Sequence, residues 1–378
     1  MSLPDPTSVT GPALSVHSAL AALALIGVTL AGAAQMTAAG LQIDMSKIPY
    51  SVSDFREGRT TGALEKQLDA RLPSRDALIS AANALRYLLL HGAGDQVRLG
   101  RAGWLFLTDE LRFHEAAQSQ RAARVELLAR AAQGLQRDGV QLVVALAPDK
   151  ARLYADRLAE GRLPDYTRDR YQDTLAALRA RGVNVVDLLQ PLALAAAGAE
   201  VYYRSDTHWN TVGARSAAAA VAEAVRRMRP DLPRTDFVTD PPGALQERPG
   251  DLIRLMGLAN VPASLRPRAD REAPLQTRQT SADSGGLFGD ASVPVVLTGT
   301  SYSLRGNFHG FLQQALGAKV LNAAQDGSGF LQSATQYLKD EAYRSSKPKV
   351  LIWEVPERFL DAPLAGEAGW AREVGVAP

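Results

Sequence analysis

Three stretches of this chain are apolar almost without interruption over the length of a strand. Val140 to Ala147, Val293 to Leu297 and Val350 to Val355 each carry at most one polar residue. A strand with one wet face alternates apolar and polar residues, so a run that does not alternate must be covered on both faces. Val183–Leu188 and Lys319–Ala324 read as two further, shorter strands. Segments with helical character separate them, near 114–138, 167–181, 211–228, 308–317 and 330–343. Strands of this kind alternating with helices predict an α/β fold, a parallel sheet with helices on both faces. No internal repeat is visible.

The flanks behave differently. Residues 44–100 read as a helical lead-in, with Leu64, Leu68 and Leu72, then Leu78, Ala82, Leu85 and Leu89, at helical spacing. Pro73 breaks that pattern, Ser74 and Asp76 can restart it, and Gly92 and Gly94 end it. A turn at Gly100–Gly103 then enters a short aromatic strand through Leu107. Residues 229–291 have clustered Pro, Arg and Asp and weak periodicity. They are a linker or an irregular excursion packed on the surface, and the apolar Leu252–Leu258 favours partial order. Residues 366–378 form a tail.

Between Asp5 and Asp44 lie 38 residues without Asp, Glu, Lys or Arg. Within them Ala19–Leu41 is apolar, and a helix of ~20 such residues spans a bilayer. A buried helix or an Ala/Gly-rich leader has the same composition. Membrane insertion is the expectation, as an anchor within a 1–43 tail or as a signal peptide cleaved near Ala31–Ala33 or Ala38–Gly40. The length of the run favours the anchor.

The net charge of +2 offers no basic footprint for nucleic acid. The absence of Cys removes disulfides, thiolate nucleophiles and Cys-type zinc sites. Imidazole chemistry falls to His17, His91, His114, His208 or His309. His17 borders the apolar segment. His91 ends a helix, where the dipole favours a cation. His114 heads another helix, and His309 opens the one after Ser301.

Two places can carry chemistry. Gly299-Thr300-Ser301-Tyr302-Ser303 follows the strand ending at Leu297. A Ser at the carboxyl end of a parallel strand, before a helix, is placed for nucleophilic work, with backbone N–H groups beside it for an oxyanion. A helix N-cap has the same look. The other place is Asp206-Thr207-His208-Trp209. In an extended segment Asp206 and His208 share a side, so the carboxylate can orient the imidazole as a base. The pair could equally supply two metal ligands, though no other His offers an obvious third, or cap the next helix.

These segments, with Gly103-Trp104-Leu105-Phe106-Leu107, Asp109-Glu110, Pro148-Asp149-Lys150 and Trp353-Glu354-Val355-Pro356-Glu357-Arg358, resemble exopolysaccharide O-acetyltransferases of the AlgJ/AlgX type. The resemblance runs from about Arg56 to Leu360. It implies an SGNH-hydrolase-like fold over 101–365 with its strands in circularly permuted order. The strands at 293–297, 319–324 and 350–355 would be the first three, those at 140–147 and 183–188 the fourth and fifth, and 229–291 would join the two original termini. It implies Ser301 as nucleophile, His208 as base and Asp206 as its orienting acid. Oxyanion donors would be the Ser301 N–H and Gly327 or Gly329. The Asn that usually adds a third donor is absent at Trp353–Pro356, leaving Asn322 or Asn307 as substitutes.

Tyr302, Arg305, Lys150 and His309 lie near the implied crevice, as packing, rim charges or substrate contacts. The resemblance also implies no metal and no cofactor. An acetyl donor would come from a partner or a small acetyl carrier. Partners would be a polysaccharide acceptor (alginate or cellulose), a membrane-bound acyltransferase and other acetylation subunits. The chain would sit at the bacterial inner membrane through 19–41, with its catalytic domain in the periplasm. Twenty residues follow Arg358, too few for the extra carbohydrate-binding module of the AlgX branch, so the AlgJ branch is expected. An acetylesterase and a non-catalytic, membrane-tethered subunit are the competing readings.

Overall fold

In the computed structural model of the chain, the described residues are 30, 32–38, 40, 42–71, 75–280 and 293–376. They fall into two compact units, Met1–Ala82 and Asn83–Pro378. In the first, Ser51 and Asp54 form a reciprocal capping box that starts the helix Val52–Arg56. A second helix, Arg59–Asp69, is tied to the segment before it by two bonds. Asp44 N–H donates to Gln67 Oε1 at 2.9 Å and Gln67 Nε2 to Asp44 O at 3.0 Å. The helix Arg75–Leu90 is the expected restart, while Pro73 and Ser74 lie outside the described residues. Most of the expected membrane segment, 19–29 with 31, 39 and 41, also lies outside them. No helix among the described residues is long and apolar enough to cross a membrane.

In the second unit, Val97–Leu99 (β1) pairs antiparallel with Leu105–Leu107 (β2). Gln141–Ala147 (β3) and Asn184–Asp187 (β4) follow. The 229–291 stretch holds Phe237–Thr239 (β5), Gln246–Arg248 (β6), Asp270–Glu272 (β7) and Thr277–Gln279 (β8). Then come Val295–Thr298 (β9), Val320–Asn322 (β10) and Val350–Pro356 (β11). The main sheet has the order β10-β9-β11-β3-β4, parallel throughout. Counted from β9, that is 2-1-3-4-5, a doubly wound order whose strands start late in the chain. This is the strand order that the expected permutation implies, with β11 and β3 joined along seven residues from Val350↔Gln141 to Pro356↔Ala147.

The non-alternating runs have the expected cause. Val143, Ala145 and Ala147 enter one core together with Val295, Leu297, Val350 and Ile352. Leu142, Val144 and Leu146 enter a second core with Val296, Leu351, Trp353 and Val355. The first face is covered by the helices Thr211–Met228 and Phe308–Leu316, the second by Ala117–Arg137, Arg170–Ala180 and Gln332–Lys339. Ala214, Ala217, Ala218 and Ala222 line the buried side of Thr211–Met228, and small side chains let a neighbouring helix approach closely.

One expectation changes. The helix expected at 330–343 is two, Gln332–Lys339 and Glu341–Ser345, because Asp340 is extended and caps the second through Ala342 N–H at 2.8 Å. In the described part of the 229–291 excursion, β5 pairs with β8 and β6 with β7. Its helix Asp251–Leu255 buries Leu252 and Ile253 against Val97 and Leu105. Residues 281–292 lie outside the description.

Candidate active site

The carboxyl ends of β9, β3 and β11 point to one edge of the sheet. After β9 the chain turns at Gly299, whose φ of 152° is open to glycine and strained for other residues. A Cβ there would also lie 2.6 Å from Glu354 Oε2. The turn delivers Ser301 at the start of a short 3-10 helix capped by Thr300.

Ser301 Oγ lies 2.7 Å from His208 Nε2, and His208 Nδ1 lies 2.5 Å from Asp206 Oδ1. All three side chains are buried. The carboxylate fixes the proton on Nδ1, so Nε2 accepts from the Ser301 hydroxyl. Burial opposes ionisation of Asp206, but the hydrogen bonds from His208 and the charge of Arg248 hold its carboxyl well below the usual range. Such a series can take the Oγ proton as Ser301 attacks a carbonyl carbon and return it to a leaving group.

Asp251 also approaches: donor atoms of Asp206, His208 and Asp251 lie within 4.8 Å of one another, a third metal-ligand candidate that sequence spacing did not offer. The Nδ1–Oδ1 separation of 2.5 Å is nevertheless that of a hydrogen bond. Two ligands of a tetrahedral zinc ion would stand ~3.3 Å apart.

The family described as "SGNH hydrolase-like domain, acetyltransferase AlgX" matches residues 97–357, which contain the whole of this constellation. The chain belongs to this family. It is 36% identical over 323 residues to the probable alginate O-acetylase AlgJ of Pseudomonas aeruginosa, covering 82% of this chain and 81% of that one. The structure of the O-acetyltransferase domain of Pseudomonas putida AlgJ superposes with a TM-score of 0.65 at 34% identity, over 74% of this chain and 98% of that one. Pseudomonas aeruginosa AlgX superposes with a TM-score of 0.57 at 26% identity, over 74% and 66%.

In this AlgX-family chain the other expected residues are distributed as follows. Gln325 N–H and Ser328 Oγ both donate to Gly299 O, at 3.2 and 3.0 Å, holding the segment with Gly327 and Gly329 beside the Ser301 turn. Asn322 and Asn307, expected as a third oxyanion donor, each donate one side-chain N–H within the protein. Asn322 donates to Ser303 O at 3.3 Å and Asn307 to Thr277 Oγ1 at 2.9 Å. Tyr302 is fully buried. Its hydroxyl donates to Thr207 O at 2.8 Å, and its ring packs on His208 and Trp209. Arg305 pairs with Asp326 at 2.9 Å on the surface. His309 Nε2 bonds Val320 O at 2.7 Å, and burial lowers its proton affinity.

Lys150 is no rim charge. It is fully buried, and its Nζ donates to Tyr203 O, Arg204 O and Asp206 O at 3.2, 3.3 and 2.7 Å. Burial lowers its ammonium to about 8, against the pull of Glu110, Asp251 and Asp206. The two motifs at the ends of β3 and β11 clasp each other. Asp149 N–H donates to Glu357 Oε2 and Arg358 N–H to Asp149 Oδ1, both at 3.0 Å, while Arg170 bridges the two carboxylates.

Three residues were missed. Glu354, 1% exposed, accepts from Thr300 N–H at 2.7 Å, from Thr300 Oγ1 at 3.0 Å and from Ser303 Oγ at 3.1 Å. Burial raises its proton affinity against those bonds. A lone charge inside an apolar strand was the signal available. Arg248 and Asp251 reach the Asp206 loop from the 229–291 excursion, and nothing in their local sequence marks them.

Proposed function

We propose that this chain is an O-acetyltransferase that passes an acetyl group to hydroxyls of an exopolysaccharide through an acetyl-Ser301 intermediate. The unbroken series Asp206–His208–Ser301 carries the reading, in a chain resembling the O-acetyltransferase domain of AlgJ. Ser301 Oγ attacks the acetyl carbonyl while His208 Nε2 takes its proton, and the tetrahedral oxyanion is met by the Ser301 N–H and that of Gly327 or Gly329. The donor's leaving group departs with the proton from His208. A sugar hydroxyl then gives its proton to His208, attacks the acetyl-enzyme, and Ser301 leaves as the alcohol. No cofactor enters these steps.

Relatives named probable alginate O-acetylases make alginate the first acceptor to try, with cellulose second. The donor side is assigned to a membrane-bound acyltransferase partner or a small acetyl carrier. The catalytic unit would work in the periplasm, tethered to the inner membrane through 19–41. The test is Ser301→Ala. Wild-type protein given 4-nitrophenyl acetate should acquire one acetyl group on Ser301 by mass spectrometry, and the variant none. Acetylation of the variant at the wild-type rate would remove Ser301 as nucleophile.

A further inference from the structure

We infer that Arg248 and Asp251, both on the 229–291 excursion, are positioning residues that aim and electrostatically poise the Asp206–His208 pair from opposite signs of charge. Asp206 uses Oδ1 for His208, accepting from Nδ1 at 2.5 Å and from the backbone N–H at 3.0 Å. Its Oδ2 belongs to the excursion. It accepts from Asp251 N–H at 3.1 Å and lies 3.2 Å from the Arg248 guanidinium. Asp251 in turn holds the residue between Asp206 and His208. Thr207 donates its N–H to Oδ1 at 2.8 Å and its hydroxyl to Oδ2 at 2.5 Å, and Oδ2 stands 3.5 Å from His208 Nδ1. A cation thus faces the far oxygen of the acid, and an anion faces the imidazole.

The arrangement is built to be rigid. Arg248 lies 4.1 Å over the Tyr203 ring and 3.6 Å from Glu272. Asp251 starts a helix whose Leu252 and Ile253 are fully buried. Asp270 accepts from the N–H groups of Arg204 and Ser205, both at 2.9 Å. Among the described residues, further charged or titratable groups facing the pair are Lys150 beneath Asp206 O, Tyr203 under Arg248, and Tyr302 against the His208 ring. All are unaltered in the variants below.

The inference rests on His208 acting as the base for Ser301. Under that reading, the acid limb of the kcat/KM profile marks protonation of the imidazole. Removing the nearby cation favours the protonated ring, and removing the anion disfavours it. With 4-nitrophenyl acetate, Arg248→Gln should move the acid limb up by about one pH unit and Asp251→Asn should move it down by a similar amount. Arg248→Lys, which keeps the charge, should restore the wild-type limb. Loss of packing alone would lower rates without opposed displacements. Limbs that stay fixed or move together, or loss of the native circular dichroism in either neutral variant, would assign both residues to structure and overturn the inference. Turnover that survives Ser301→Ala would overturn the proposed function instead.

Discussion

Glu354 is the residue whose chemistry is least expected where it stands. It sits in a strand buried on both faces and gathers hydrogen bonds from the Ser301 turn. Glu354→Leu leaves the Thr300 N–H buried without an acceptor and should cost about 1–3 kcal/mol, read from urea midpoints. Glu354→Gln keeps that acceptor, so it should cost less and show a pH signature. The folded protein holds this proton more tightly than the unfolded chain, because burial raises the carboxyl above its ordinary 4.5. The stabilising contribution is therefore complete below 4.5 and is lost as pH rises through the folded value. Stability of the Gln variant relative to wild type should improve from pH 4.5 to pH 7, and a constant difference would mean the carboxyl is ionised when folded. At this scale the sequence was legible where chemistry and spacing coincide. Asp206-Thr207-His208 and Gly299-Thr300-Ser301 each announce a role within three residues. Arg248 and Asp251 announce nothing, since their meaning arises only when chain segments some forty residues apart meet.

Among elements, the long apolar strands and the Ala-rich helix were legible because burial on both faces and helical spacing leave few alternatives. The helix expected over 211–228 is found at Thr211–Met228, capped by Asn210 through Val212 and Gly213 N–H at 3.0 Å. The 229–291 excursion was not legible, because its strands are three residues long and its stability comes from partners elsewhere in the chain. Gly250 shows how tightly it is seated. Its φ of −70° is ordinary, yet a Cβ there would fall 1.9 Å from Ser205 O and 2.7 Å from Asp206 N. Gly250→Ala must therefore push the excursion off the Asp206 loop. The expected cost is about 1–3 kcal/mol, with turnover falling further than Arg248→Gln alone would lower it. An alanine variant with wild-type stability and rate would show that the excursion yields freely and does not brace the loop.

For the molecule as a whole, the order of the strands has a chemical consequence. The Ser301 turn comes from a strand late in the chain, while His208 and Asp206 come from a loop after the early strands, His208 lying 93 residues before Ser301. The two meet only because β11 and β3 pair along their full length and clasp at their ends through Asp149 and Glu357. Under the proposed function, a site assembled in this way would fix the first half-reaction but leave open which hydroxyl completes the second. Water and a sugar would use the same base, so the triad geometry serves a transferase and an esterase alike. Acceptor binding alone must separate them. With 4-nitrophenyl acetate as donor, mannuronate oligomers should therefore raise turnover and divert acetyl from free acetate to the sugar in proportion to their concentration. Glucose oligomers in a parallel series would reveal a cellulose-type acceptor. Acetate release that is indifferent to both oligomers, with no acetylated sugar formed, would make the chain an esterase. Failure to turn over any acetyl ester would leave it a non-catalytic subunit with an intact but idle triad.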